Sequence, residues 1–152
     1  MADYYSIITK KFTLRTSHSG WLLATRNLYN KILGFYYTLY LENKDIQELG
    51  SQNALRELEK RSIVGRDKKP VPFPLPWKKV PLYFRRAAIN EAIAAGKSYL
   101  GREEQERPTE VFSSAITLYK GMYRDLEENS ISVKVFDGNQ WRWIHCRLTG
   151  IQ

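Results

Sequence analysis

Five cations, Lys78, Lys79, Arg85, Arg86 and Lys97, are interleaved with Trp77, Tyr83 and Asn90 in one short stretch. Clustered ammonium and guanidinium groups displace condensed counterions from a phosphate chain, and aromatic rings stack on exposed bases. The pattern points to RNA, DNA or a hybrid of the two as partner. The five cations are read as phosphate contacts that position a strand without specifying it. Trp77 and Tyr83 are read as stacking surfaces. Asn90, with Asn27 and Lys31 from an earlier stretch, is placed to reach base edges or backbone. Plainer roles stay open: Trp77 and Tyr83 closing a core, and Arg85 pairing with a carboxylate from another helix.

Charge is concentrated in the same place. The chain carries +8 overall, yet residues 60–102 alone hold eleven Lys/Arg against two acids, leaving the remainder near neutral. A balanced protein with one basic segment suggests a polyanion, and a solvated basic loop is the plain alternative.

Catalytic chemistry is sought and not found. Glu91–Ser98 nearly spells the phosphate loop G-x-x-x-x-G-K-[ST], but Glu91 replaces the first glycine and the stretch sits inside a helical pattern. The true loop needs a Gly-rich turn between a strand and a helix. His18 and His145 have no serine, cysteine or carboxylate at a recognised spacing. Glu103, Glu104 and Glu106 read as a solvated linker. The single cysteine, Cys146, excludes an internal disulfide and any multi-cysteine zinc site. No catalytic residue, metal or cofactor is assigned, and the chain by itself is not expected to be an enzyme. It has no run of about 18 apolar residues and no signal-peptide pattern, so no membrane is expected and a cytoplasmic setting, nucleoid-associated at most, is the default.

The elements that would position these residues follow from periodicity. Tyr4–Leu14, rich in aromatic and β-branched residues, predicts a strand. Hydroxyls in 16–19 offer a cap to a long helix over 21–41, with Trp21, Leu28, Ile32, Phe35 and Leu39 on one face and Asn27, Lys31, Gly34 and Thr38 as its polar stripe. Its aromatics (Phe35, Tyr36, Tyr37, Tyr40) are assigned to a core. After a polar break at 43–50, Ser51 is expected to cap a short helix over 52–61. Residues 64–81 contain four prolines within 70–76 and predict an extended connector. An alanine-rich helix follows, with Pro81 in its first turn and small residues allowing a close neighbour. Arg86, Asn90 and Lys97 share one face of it. A charged linker at 102–108 precedes a switch to period two. Ile131, Val133 and Val135 alternate with polar residues, Asp137-Gly138-Asn139 signals a hairpin, and Trp141, Trp143 and His145 alternate on the return strand. One strand, then helices, then strands gives an α+β chain whose helices are inserted into a sheet or partial antiparallel β-barrel.

Several of these stretches resemble the N-terminal part of TnpB (OrfB-type) transposon proteins, relatives of type V CRISPR effectors. Arg26, Tyr29 and Asn30, within Thr25–Asn30, look like that family's R-x-x-Y-N signature, which follows an N-terminal strand. Val80–Phe84, Leu118–Tyr123 and Asp137–Trp143, the last in the position of an N-G-x-x-W-x-W hairpin, match in order and separation. The resemblance implies a wedge barrel built from 1–15 and 108–152, a helical recognition lobe over 16–107 with the connector 64–81, and contact with guide RNA and target DNA. It also implies that the RuvC-like acids and four-cysteine zinc element belong further along such a chain. This sequence stops at Gln152 with one cysteine, so the nuclease activity is not carried over.

The function expected is thus nucleic-acid binding as the N-terminal part of an RNA-guided DNA endonuclease without its nuclease centre. The alternative is a protein–protein module docking through the Pro-rich segment or an open strand edge. An exposed edge would also invite self-association.

Overall fold

The computed structural model describes residues 12–102, 112–119 and 121–150. The longest element is α1 (Ser19–Glu42), followed by one turn, α2 (Lys44–Gln47), then α3 (Ser51–Ser62) and α4 (Leu82–Leu100). The strands are β1 (Thr13–Arg15), β2 (Tyr123–Arg124), β3 (Ser130–Phe136) and β4 (Trp141–Thr149). The protein is α+β. Most of the strand expected over 4–14 and the charged linker from 103 lie outside the described residues.

α1 and α4 form the centre. The wide apolar face of α1 buries Tyr29, Ile32, Leu33, Tyr36 and Tyr40, and α4 answers with Phe84, Ala88, Ala92 and Gly96. Tyr29 meets Phe84 edge-on at 5.4 Å, and Tyr40 meets Gly96 farther along both chains, so the two helices run in the same direction. The small residues of α4 do admit a close neighbour, but it is the Tyr40 ring rather than a backbone. A Cβ on Gly96 would overlap that ring, a clash worth about 1–3 kcal/mol. α3 runs antiparallel to α4, because Glu59 reaches Arg86 while Ser51 reaches Lys97.

Local signals differ from the sequence expectations at three ends. The N-cap of α1 is His18, with no side-chain cap bond, while the Thr16 hydroxyl accepts from the His18 amide instead. Gly50, not Ser51, caps α3, and Pro81 caps α4 rather than joining its first turn. The polar break at 43–50 hides a core residue, since Ile46 of α2 is fully buried. The Pro-rich connector, expected to be extended, forms neither helix nor strand and contains turns and bends. It folds back on α3, and the Phe73 and Leu75 amides donate to the Arg61 and Ser62 carbonyls at 2.9 and 3.0 Å. This satisfies carbonyls that the last turn of α3 cannot. Trp77 continues inward and meets Phe35 at 6.3 Å.

The sheet is antiparallel, in the order β1-β4-β3-β2. Asp137 forms the β3–β4 turn, accepting the Asn139 and Gln140 amides at 2.8 Å, and Gly138 takes a φ of 103° that favours glycine. Alternation sets two faces. Val133, Val135, Ile144 and Cys146 form a second core with Trp21, Leu22 and Leu118. The other face carries Arg15, Ser132, Lys134, Trp143, His145 and Arg147. The expectation of a partial barrel needs correction at this level: among the described residues the sheet is open. β2 has only two residues and β1 three, and neither pairs with the other. Asp125, at φ 52°, turns the chain out of β2. Ile116 and Leu118 fall after the switch to period two, yet residues 112–119 have no ladder partner among the described residues. We term them the strap.

Candidate functional site

The expected interface begins at α4. Its first turn holds no acid, and Arg85 and Arg86 follow where the positive end of the helix dipole disfavours cations. Glu59 of α3 compensates both. Its carboxylate lies 2.6 Å from Arg86 Nε and 3.6 Å from an Arg85 nitrogen, with Arg85 and Glu59 side chains only 12% and 16% exposed. The Glu59 hydrogen bond raises the Arg86 pKa. Arg85 therefore takes the plainer of its two roles and clamps α4 to α3. Arg86, whose side chain is 39% exposed, does the same from the edge of the outer stripe. The Arg85 Nε is buried with no hydrogen-bond partner.

A third arginine of the basic segment behaves likewise. Arg61 pairs with Asp45 and, at 3.1 Å, with Glu57, and its guanidinium holds the Asp45 carboxyl below the usual range. Three acids from outside 60–102 thus meet three of that segment's arginines. The other cations are exposed: Lys60, Arg66, Lys68, Lys69, Lys78, Lys79, Lys97 and Arg102. Lys60 and Lys69 rim a cleft of about 440 Å³ between the end of α3 and the connector. Lys78 and Lys79, the latter at φ 58°, stand in the turn that leads into α4. These groups gather where α3 ends and α4 begins. Lys97 and Arg102 do not join them, and Arg102 follows the far end of α4. Lys97 donates to Ser51 Oγ at 2.7 Å at the other end of α4, about 16 Å along the axis from Arg86.

Tyr83, Arg86, Asn90 and Lys97 do share the outward stripe of α4, as the spacing predicts. Tyr83 is 48% exposed, and Asn90 donates to the Tyr119 hydroxyl at 3.2 Å. Trp77 is partly buried against the core, the plainer of its two roles. Asn27 and Lys31 are exposed on α1, on the side turned away from α4. They are not brought to the same surface as Asn90 and Lys97. Glu91–Ser98 is helical throughout, so it presents no turn to a phosphate. Among the described residues no group of three His, Cys, Asp or Glu is placed to hold a metal, and no helix is long and apolar enough to cross a membrane.

Sequence reading missed a polar clamp on the strap. Arg26 donates to the Ser113 and Ser114 carbonyls at 2.6 and 3.4 Å. Asn30 holds Ser114 from both sides, donating to its carbonyl at 2.9 Å and accepting its amide at 2.7 Å. Tyr29 donates to Glu91 at 2.6 Å, and the Thr117 hydroxyl donates to the same oxygen at 3.1 Å. Burial, then Glu91, raises the Tyr29 pKa. Thr25 accepts the Phe136 amide at 2.8 Å and ties β3 to α1. The stretch Thr25–Asn30, singled out by resemblance, thus fastens helices, strap and sheet together. Its i, i+4 spacing of polar residues on an otherwise apolar helix was the available signal.

The model of the Aq_aa04 family matches residues 6–137, most of the chain. The chain belongs to the Aq_aa04 family. No curated protein and no solved structure matches it. The Aq_aa04 match takes in both the basic end of the helical layer and the Thr25–Asn30 clamp, while β4 lies beyond it.

Proposed function

We propose that this protein binds nucleic acid, RNA or an RNA–DNA hybrid, through phosphate contacts. In this reading it is the N-terminal wedge-and-recognition part of a TnpB-like RNA-guided endonuclease. The helices sit between β1 and β2–β4 in the chain, which fits a helical lobe inserted into a sheet. The open sheet would then be the wedge part of that reading. One observation carries the reading. Lys78 and Lys79 stand exposed beside the α4 N-terminus, near Lys60, Arg66, Lys68 and Lys69, and none of the six has an ion-pair partner among the described residues. Unmatched cations next to free helix amides favour phosphate oxygens.

The protein-docking alternative draws less support. The Pro-rich segment is committed to α3 through Phe73 and Leu75, and both sheet edges are short strands, which limits pairing with another chain. The test is the double variant Lys78→Ala/Lys79→Ala, with RNA affinity measured against salt. Two lost phosphate contacts should flatten the log–log slope by about 1.4–1.8. An unchanged slope removes the assignment.

A further inference from the structure

The outward face of the sheet gathers cations that lie far apart in the sequence. Arg15 on β1 sits directly opposite Arg147 on β4, and both side chains are exposed. Like charges facing each other across strands are destabilising. No carboxylate relieves this pair among the described residues. Arg15 Nε donates only to the Thr149 hydroxyl, at 3.1 Å. Lys134 and Arg124 add two further cations on the same face. Asp125, just past β2, lies 3.7 Å from Arg124, with both side chains mostly exposed.

An aromatic platform stands among them. Trp143 lies opposite Lys134, and the Arg124 guanidinium sits 4.0 Å above the indole centroid. Planar guanidinium and indole groups both stack on unpaired bases. Beside this layer is a hollow of about 570 Å³ lined by Ser130, His145, Arg147 and Thr149.

We propose that this face binds single-stranded nucleic acid, with the Trp143–Arg124 layer taking a base and Arg15, Arg147 and Lys134 taking the flanking phosphates. The inference rests on the nucleic-acid reading above and adds a second surface with a strand preference. A strained pair of arginines is what an anion site requires, because the ligand supplies the missing charge. The underside of the sheet is covered by Trp21, Leu22 and Leu118, and the hairpin end of the outward side by Phe84 of α4 against Trp141. The part of the outward side from Lys134 and Trp143 to Arg15 and Arg147 is left for a ligand.

The test uses the whole chain with poly(U) and poly(dT) oligomers, a duplex of equal length, and polyphosphate of equal charge. Arg15→Gln/Arg147→Gln should flatten the salt slope for single strands by about 1.4, at about 0.7 per phosphate. It should leave the unfolding midpoint unchanged or raised. Trp143→Ala should weaken single-strand binding roughly tenfold with no change in slope, and Trp143→Phe should restore most of it. Comparing poly(U) with poly(dT) reports whether the 2′-hydroxyl contributes. Polyphosphate or duplex binding as tightly as the single strands overturns the proposal. So does a slope unchanged by the arginine substitutions. If the unmodified chain binds no oligomer at all, the nucleic-acid reading falls with it. If Lys78→Ala/Lys79→Ala weakens binding and the sheet variants do not, only the sheet proposal falls.

Discussion

In the helical layer Arg61, Arg85 and Arg86 each meet a carboxylate, whereas on the outward side of the sheet Arg15, Arg147 and Lys134 meet none among the described residues. The layer looks the more basic in sequence, because its cations are close together along the chain. In space part of that charge is internal and holds α3 to α4. The sheet looks neutral in sequence, since acids in its turns balance the count. Its register then sorts Arg15, Arg124, Lys134 and Arg147 to one side and Arg142 to the other. A partner is recognised by charge left unmatched, and matching is a property of the fold.

The sharpest way to break this contrast is Glu59→Ala. It strips two arginines of their only acid among the described residues, one of them nearly buried, and should cost about 2 kcal/mol, less than a fully buried pair because Arg86 is partly solvated. The denaturant midpoint reads the loss. The same variant frees two guanidinium groups at the end where Lys78 and Lys79 stand, so RNA affinity should rise while stability falls. A midpoint that does not move would show that the clamp is no clamp.

Asn30→Ala comes next and probes the strap. Losing both bonds to the Ser114 backbone should cost about 1–2 kcal/mol. Amide exchange should speed up over 112–119 while β3 and β4 stay protected. Equal acceleration in strap and sheet would mean that the two regions open as one.

The smallest effect sits at the hairpin. Arg142, with the Gln140 and Asn139 amides, holds the Asp137 carboxyl down to about 2, from an ordinary 3.8. A carboxyl whose pKa is lower in the folded chain adds stability above its unfolded value and loses it as pH falls through the folded one. The hairpin should therefore weaken between about pH 4 and 2, and Asp137→Asn should lack that part of the acid response in a thermal-melt series. A variant that still follows the parent through this window would place the acid sensitivity elsewhere.

Much of the framework was legible in the residues. The 3.6-residue spacing of Leu28, Ile32, Phe35 and Leu39 located α1, and strict alternation around Asp137-Gly138 located β3 and β4. The tyrosines of α1 were rightly assigned to the core, since Tyr36 and Tyr40 are almost completely buried. The strap misled because alternation records only which side is covered, not whether a neighbouring strand exists. Phe112, Ile116 and Leu118 turn inward against helices and sheet with no ladder among the described residues. The role of Arg85 stayed open for want of Glu59, which is nearby only after the connector has folded back. The Arg15–Arg147 pair was invisible for the same reason, being separated by nearly the whole chain and joined by register alone.

Strands in a ladder let go together, but the strap hangs from separate hooks: Arg26 and Asn30 hold it at Ser113 and Ser114, and Glu91 holds it at Thr117. Such a fastening can be undone one hook at a time, so intermediate degrees of detachment exist that a paired strand never visits. Evolution or an engineer could therefore tune how loosely this segment sits, residue by residue, without disturbing the hairpin beside it.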